Sequence, residues 1–394
     1  VRQQLEGSRA VAEAVQRCRP QVVAAYPITP QTHIIEHLAQ MVADGELASE
    51  FVSVESEFAA ASVVLGAVAT GSRAFTASAS QGLLLMTEVL FNIAGLRLPV
   101  VMVCANRAVG APINIFSDHQ DSMALRDAGW IQLYVESNQE AVDTVIQAYR
   151  IAETCELPVM ICMDGFFLTH TFEPVDVPEQ EAVDAFLPDF HFARTLDPAQ
   201  PMTLGGGSEP DNYQEYRHAQ HQAMVSAADE IDNINTEFTQ SFGRDYGGLI
   251  DHYQLEEAEV VLVTLGSVMG AVKDVVDSLR GQGQSVGALR LRCFRPFPAT
   301  HLVAALRNTR RIVVLEKAFS VGADGIVATE LRAALHNAGV AIPVESFIGG
   351  LGGRDLTLSL IEEVFRAASA EPSANCRFAG LNSLPDDIPI IEET

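Results

Sequence analysis

Three short stretches carry residue types that chemistry would need. Thr29 lies in Tyr26-Pro27-Ile28-Thr29-Pro30, straight after the apolar run Val22–Ala25. Two prolines so close together rule out regular pairing and fix an extended turn, so a single hydroxyl is held stiffly at the end of a strand. Glu55 and Glu57 fall where the strand pattern of "FVSV" gives way to the small-residue helix pattern "EFAAASVVLGAVA". A helix start favours a carboxylate as the anion by roughly 0.3–1 kcal/mol, so the pair reads either as helix-terminal charge or as a placed catalytic acid. Arg107 follows the wholly apolar "LPVVMVCAN". Its planar fork can meet a carboxylate or phosphate through bonds of about 1.5–3 kcal/mol each, or form a structural ion pair with Asp118 or Asp121.

Two further stretches are weaker. Asp118, His119 and Asp121 look like a metal cluster, but neighbouring Asp and His cannot easily share one ion, and no second ligand pair follows at a helical interval. They are expected to form a polar loop bordering a site, and no metal site is expected in this chain. "TLGSVMG" lacks the GxGxxG spacing and reads as a turn.

The elements around these residues alternate. "QVVAAY", "FVSV", "AFTAS", "PVVMVCA", "IQLYV" and "PVMICM" read as strands, with helices over 30–42, 57–70, 82–94 and 139–153 between them. Near-continuous apolar strands separated by helices predict a parallel sheet covered on both faces, with ligands beyond the carboxyl ends of its strands. The Thr29 loop, "SASQG" and "CANRA" all reach that rim. Residues 168–256 turn proline-rich and acidic and are expected to be an extended connection with one helix over 212–238. From Ala258 the alternation resumes as a second, smaller doubly wound unit of roughly four strands. The expected division is therefore 1–167, 168–256, 257–370 and a tail over 371–394.

Bulk composition narrows the function. With 394 residues, 48% of them apolar, the chain can bury more than one core, and a formal charge of -26 speaks against nucleic acid or anionic membrane as a partner. Six scattered cysteines without a CxxC pair fit reduced thiols and a cytoplasmic location, and argue against an iron-sulfur cluster or zinc site built from thiolates of this chain alone. No apolar run is long enough to span a bilayer.

Taken in order, "YPITP" (26–30), "ESEFAAA" (55–61), "TASASQGL" (76–83), "NRAVGAPINIFSDHQDSM" (106–123), "LTHTFEPVDVP" (168–178), "LRCFRPFP" (291–298) and "GLGGRDLT" (350–357) resemble the alpha subunit of the 2-oxoacid:ferredoxin oxidoreductases, the pyruvate:ferredoxin oxidoreductase family. The resemblance implies an α/β chain of two doubly wound, mostly parallel domains: a thiamine-diphosphate pyrimidine-binding-like domain and a transketolase C-terminal-like domain. It implies thiamine diphosphate shared with a beta subunit, Mg2+ and 4Fe-4S clusters in partner subunits of beta, gamma and delta type, coenzyme A as acyl acceptor, a 2-oxoacid substrate and ferredoxin as electron acceptor. Glu57 then matches the glutamate at N1' of the aminopyrimidine, where a carboxylate favours the imino tautomer that takes a proton from thiazolium C2. Thr29 and Arg107 match residues that touch the substrate, and Pro27, Ile28, Ser80 and Gln81 line the cofactor. Two departures stand out: Phe116-Ser117 where relatives have a tryptophan before the Asp-His pair, which leaves the size of the oxoacid open, and Ala318 where an acidic residue is common. A different 2-oxoacid (2-oxoglutarate, branched-chain or aryl) and a non-catalytic assembly subunit are the alternatives.

Overall fold

The computed structural model describes residues 2–367 and 376–382. Its main sheet has seven strands in the order Cys293–Arg295, Ile131–Tyr134, Val159–Asp164, Val101–Asn106, Ala74–Ser78, Val22–Ala25, Glu50–Ser53. All neighbours run parallel except the first pair. Val101–Asn106 and Val159–Asp164 are buried along their whole length, as strands covered on both faces must be, while the edge strand Glu50–Ser53 is partly exposed. One face carries the helices Gly7–Arg17, Thr32–Ala43 and Asn138–Cys155, and the other carries Glu57–Ala69 and Thr87–Gly95.

The second sheet differs from the expectation of roughly four strands. It has six, in the order Arg377–Phe378, Val344–Ile348, Arg311–Glu316, Val260–Thr264, Val286–Leu291, Ile250–Tyr253. Both extra strands are short edges. Ile250–Tyr253 comes from the expected connection and pairs antiparallel with Val286–Leu291; Arg377–Phe378 comes from the expected tail. Most of that tail, 371–375 and 383–394, lies outside the described residues.

"VGALRLRC" is not one strand. It pairs in the second sheet as far as Leu291, then Cys293–Arg295 crosses to the first sheet and lies antiparallel to Ile131–Tyr134. Arg292 at the crossing is fully buried and binds Glu140 Oε1 at 3.0 Å, so an ion pair anchors the place where the chain changes sheets. The connection is also more ordered than expected. Phe172–Val175 pairs antiparallel with Gln3–Glu6, Gln180–Phe186 forms a short helix, and the expected helix runs over Pro210–Phe242, from a proline in its first turn to a left-handed Gly243. The expected helix 82–94 is two helices, Ser80–Leu85 and Thr87–Gly95. No helix among the described residues is long and apolar enough to cross a membrane.

Candidate active site

Thr29, Glu57, Ser80 and Arg107 follow the carboxyl ends of four adjacent strands of the main sheet, the place where open parallel sheets bind ligands. The Thr29 loop is held from beneath by Gln31, a residue the sequence did not single out. Gln31 is fully buried; its Nε2 donates to Ala77 O at 2.8 Å, its Oε1 accepts from Ile28 N at 3.3 Å and its N donates to Ile28 O at 2.8 Å. Pinned this way, Pro27 and Thr29 stay exposed on the rim.

Arg107 reaches across to the same loop. Its Nη1 donates to Thr29 O at 3.1 Å and its Nε to Asn114 O at 3.2 Å, and its guanidinium meets no carboxylate among the described residues. The ion pair with Asp118 or Asp121 is therefore not made. Asp121 binds the Arg107 backbone instead: its fully buried carboxylate accepts from Arg107 N at 3.0 Å, Ser80 N at 2.9 Å, Asn106 Nδ2 at 2.8 Å and Ser122 N at 2.7 Å. Burial pushes this carboxyl up against the pull of those donors. Asp121 thus ties two strand ends together, a role its sequence neighbourhood did not reveal.

Ser80 sits at φ +50 with its hydroxyl donating to Ala108 O and to Gln81 Oε1, so it shapes the turn and has no free donor to offer. Gln81 is exposed and lies against Gly110, where an added Cβ would stand 2.6 Å from its Nε2.

Glu57 opens the helix Glu57–Ala69, whose N-cap Ser56 accepts from Ala59 N at 3.2 Å. Only 7% of Glu57 is exposed, yet its carboxylate makes no hydrogen bond or ion pair to any described residue. It lies against Gly82, where a Cβ would stand 2.4 Å from Oε1. An acceptor without a partner in its own chain, at the rim beyond the strand ends, is open to a ligand's donor group. Thr29 and Arg107 touch directly, and Asp121 joins them to Ser80 and Gln81. Glu57 lies against Gly82, two residues after Ser80, and Ile28 bonds Gln31 through its backbone.

The second sheet closes one side of the rim. Asp164, at the end of its strand, accepts from Lys317 Nζ at 2.9 Å, Ser117 Oγ at 2.9 Å, Ser267 N at 2.8 Å and Ser267 Oγ at 2.6 Å, and pairs with His119 Nε2 at 3.0 Å. Burial alone would raise this carboxyl, but Lys317 and His119 hold it well below the usual carboxylate range. Asp118 accepts from Gln120 N at 3.0 Å and from Gly352 N at 3.1 Å, and burial pushes it up to about 6. Asp118, His119 and Asp121 thus turn to different partners: Gln120 N and Gly352 N, Asp164, and the backbone of Ser80 and Arg107. Phe116 is half exposed and packs on Phe166 with ring centroids 5.2 Å apart, whereas Ala318 is buried in the core.

Comparison with known proteins gives a consistent neighbourhood. Residues 13–236 match the family described as pyruvate flavodoxin/ferredoxin oxidoreductase, thiamine diphosphate-binding, and residues 258–361 match pyruvate:ferredoxin oxidoreductase core domain II. The pyruvate synthase subunit PorA of Methanosarcina barkeri is 49% identical over 385 residues, covering 96% of each chain. The ketoisovalerate oxidoreductase subunit VorA of Pyrococcus horikoshii is 44% identical, covering 92% of this chain and 93% of its own. Among solved structures, the 2-oxoglutarate:ferredoxin oxidoreductase of Magnetococcus marinus superposes with a TM-score of 0.70 at 21% identity, over 93% of this chain and 65% of that longer one. A split-gene transketolase superposes with a TM-score of 0.56 at 15% identity, over 93% of this chain and 98% of its own. At these identities both superpositions speak for the fold: two mostly parallel α/β units.

Proposed function

The chain belongs to the pyruvate:ferredoxin oxidoreductase family, and from that premise we propose that it is the alpha subunit of a pyruvate synthase. This multi-subunit enzyme decarboxylates pyruvate oxidatively to acetyl-CoA and carbon dioxide in the presence of coenzyme A, reversibly, and passes the electrons to ferredoxin. The observation that carries this reading is Glu57, a largely covered residue at the strand-end rim whose carboxylate bonds to no described residue of its own chain.

That orphaned acceptor fits thiamine diphosphate, whose aminopyrimidine offers a ring nitrogen for a carboxylate to bind. When bound, the cofactor supplies the electron sink that lets a 2-oxoacid lose its carboxylate as carbon dioxide. Glu57 holds the proton at the pyrimidine N1' and so sets the basicity of the amine across the ring. Gly82 leaves room for Glu57 because any side chain there would occupy the carboxylate's place. Arg107, anchored by two carbonyls and facing no carboxylate of its own chain, keeps charged N–H groups for the carboxylate of the substrate. Thr29 presents its hydroxyl from a loop fixed by Gln31, the kind of preorganised polar contact that need not reorganise during reaction. Pro27, Ile28 and Gln81 are assigned by the same reading to the cofactor's surroundings, while Ser80 holds its turn.

On this reading the diphosphate and its Mg2+ are assigned to a beta subunit, and the 4Fe-4S clusters, which need grouped thiolates, to beta, gamma or delta type partners, the cysteines described in this chain being free. Free thiols also suit a cytoplasmic enzyme. A second reading, the same chemistry on a branched-chain oxoacid, is favoured by the 44% identity to ketoisovalerate oxidoreductase subunits.

The test is to isolate the chain with its native partners and measure coenzyme A-dependent reduction of a low-potential dye with pyruvate and with 2-oxoisovalerate. Pyruvate activity with co-purifying thiamine diphosphate is expected. Activity on 2-oxoisovalerate with none on pyruvate overturns the substrate, and a complex without cofactor or activity overturns the enzyme.

A further inference from the structure

Beyond the rim, one group of side chains has no part in this chemistry. Glu6 ends the strand Gln3–Glu6, His33 lies in the first turn of the helix Thr32–Ala43, and His170 lies in the turn after the strand Val159–Asp164. One ligating atom from each lies within 4.8 Å of the other two. These positions are so far apart in the sequence that no spacing betrays them. We propose that Glu6, His33 and His170 bind one divalent transition-metal ion of the zinc class, with His37 beside them as an auxiliary ligand and solvent completing the coordination.

The geometry supports a site over a chance meeting. Glu6 turns one oxygen to each helical histidine, Oε1 at 2.8 Å from His33 Nδ1 and Oε2 at 3.9 Å from His37 Nε2. His33 and His37 are one helical turn apart on one face, the spacing by which a helix offers two imidazoles to one ion. Glu6 meets no lysine or arginine among the described residues, so its charge is left to whatever the histidines hold. The His33 and His170 rings approach with centroids 4.7 Å apart and tilted 35°, so the two imidazoles meet at one place.

His170 is also oriented from behind. Thr169 Oγ1 lies 2.7 Å from its Nδ1; with Nδ1–H donating to that oxygen, Nε2 is the nitrogen left to ligate. The Phe166 ring packs against it with centroids 4.7 Å apart. Two imidazoles and a carboxylate form the donor set that zinc, cobalt or nickel takes; magnesium and calcium prefer oxygen alone and copper(I) prefers sulfur. Tetrahedral ligands at about 2.0–2.1 Å from zinc stand roughly 3.3 Å apart, so the cluster has to contract. Side-chain rotation allows it, since 43% of the His33 side chain and 15% of the Glu6 side chain are exposed.

The ion would tie three elements together beside the catalytic loop. Gly165, which opens the His170 turn, already packs so close to Pro30 that an added Cβ would stand 2.6 Å from its Cγ.

The test is a titration of the chelator-treated full chain with Co2+, followed by its visible d–d absorption, with Zn2+ as competitor and metal content measured after dialysis. One equivalent per chain is expected. His33→Ala and His170→Ala should each weaken binding by more than the roughly 10–100-fold that loss of an outer-sphere partner costs. His37→Ala should weaken it less. Circular dichroism checks the fold, and His33→Gln and His170→Asn replace any alanine variant that unfolds. Absence of d–d absorption and of retained zinc in the unaltered chain overturns the proposal and leaves a histidine-carboxylate ion pair. Equal affinity in the unaltered chain and both folded variants overturns it by placing the ion elsewhere.

Discussion

Glu57, 7% exposed, meets no partner among the described residues of its own chain, at the start of a helix that is apolar but for Ser62. The nearby acids are treated otherwise: Asp121 is surrounded by N–H donors and Asp164 by cations and hydroxyls. Asp118 lies between these extremes, and its titration gives a first prediction. Burial raises it from 3.8 to about 6, so over that interval the folded chain holds a proton the unfolded chain has lost. Its contribution to stability is fully present below pH 3.8 and is lost as pH rises through about 6, a change of about 3 kcal/mol for two pKa units. Urea unfolding at pH 4 and pH 7 should show a pH dependence that differs by this amount between the native chain and Asp118→Asn, the other shifted acids cancelling in the comparison; an unchanged pH slope in the variant contradicts the assignment. At this scale the sequence marked Thr29, Glu57 and Arg107 as candidates, because each follows a strand end with a functional group that a core does not need. Gln31 was not singled out, and Asp121 was noted only as a member of a polar loop or a partner of Arg107, because the bonds that matter reach 46 and 41 residues away.

Elements place these groups through close approach of backbone. The helices Ser80–Leu85 and Glu57–Ala69 meet at Gly82, and the absent Cβ is the space that Glu57 Oε1 fills. Gly82→Ala should therefore displace the carboxylate. Overpacking of this kind costs about 1–3 kcal/mol, and turnover should fall well beyond what that loss of stability explains. Full activity with a lowered melting temperature would show that Glu57 can move without consequence. Gln31→Ala should act on the other loop, raising KM for the oxoacid more than it lowers kcat, because it frees the backbone of Ile28 and hence the position of Thr29. The strands of the main sheet were legible since Val101–Asn106 and Val159–Asp164 are apolar throughout. Cys293–Arg295 was not, because three residues continuing an apolar run give no sign that the chain has changed sheets. Ile250–Tyr253 is an exposed-edge strand with no apolar run to mark it.

Across the whole molecule, buried ion pairs join the two sheets. Lys317 from the second meets Asp164 from the first, and Arg290 and Arg292 both close on Glu140. Removing one member of such a pair strands the other, at a cost of about 3–5 kcal/mol. Lys317→Met should lower the unfolding free energy by that amount at neutral pH, and a change below 1 kcal/mol, far under what a stranded buried charge costs, would show that Asp164 is satisfied without it. This linkage could not be read from the sequence, which showed two alternating units but not which residues face each other between them. The central claim concerns the half-site on the first sheet, and the most direct measurement is turnover of the complex reassembled with Glu57→Gln, which keeps size and fold but cannot hold the proton. The account predicts that pyruvate-driven dye reduction falls about a hundredfold or more, the scale of lost acid-base assistance, with the complex still assembled. Undiminished turnover would contradict it and leave the chain a scaffold.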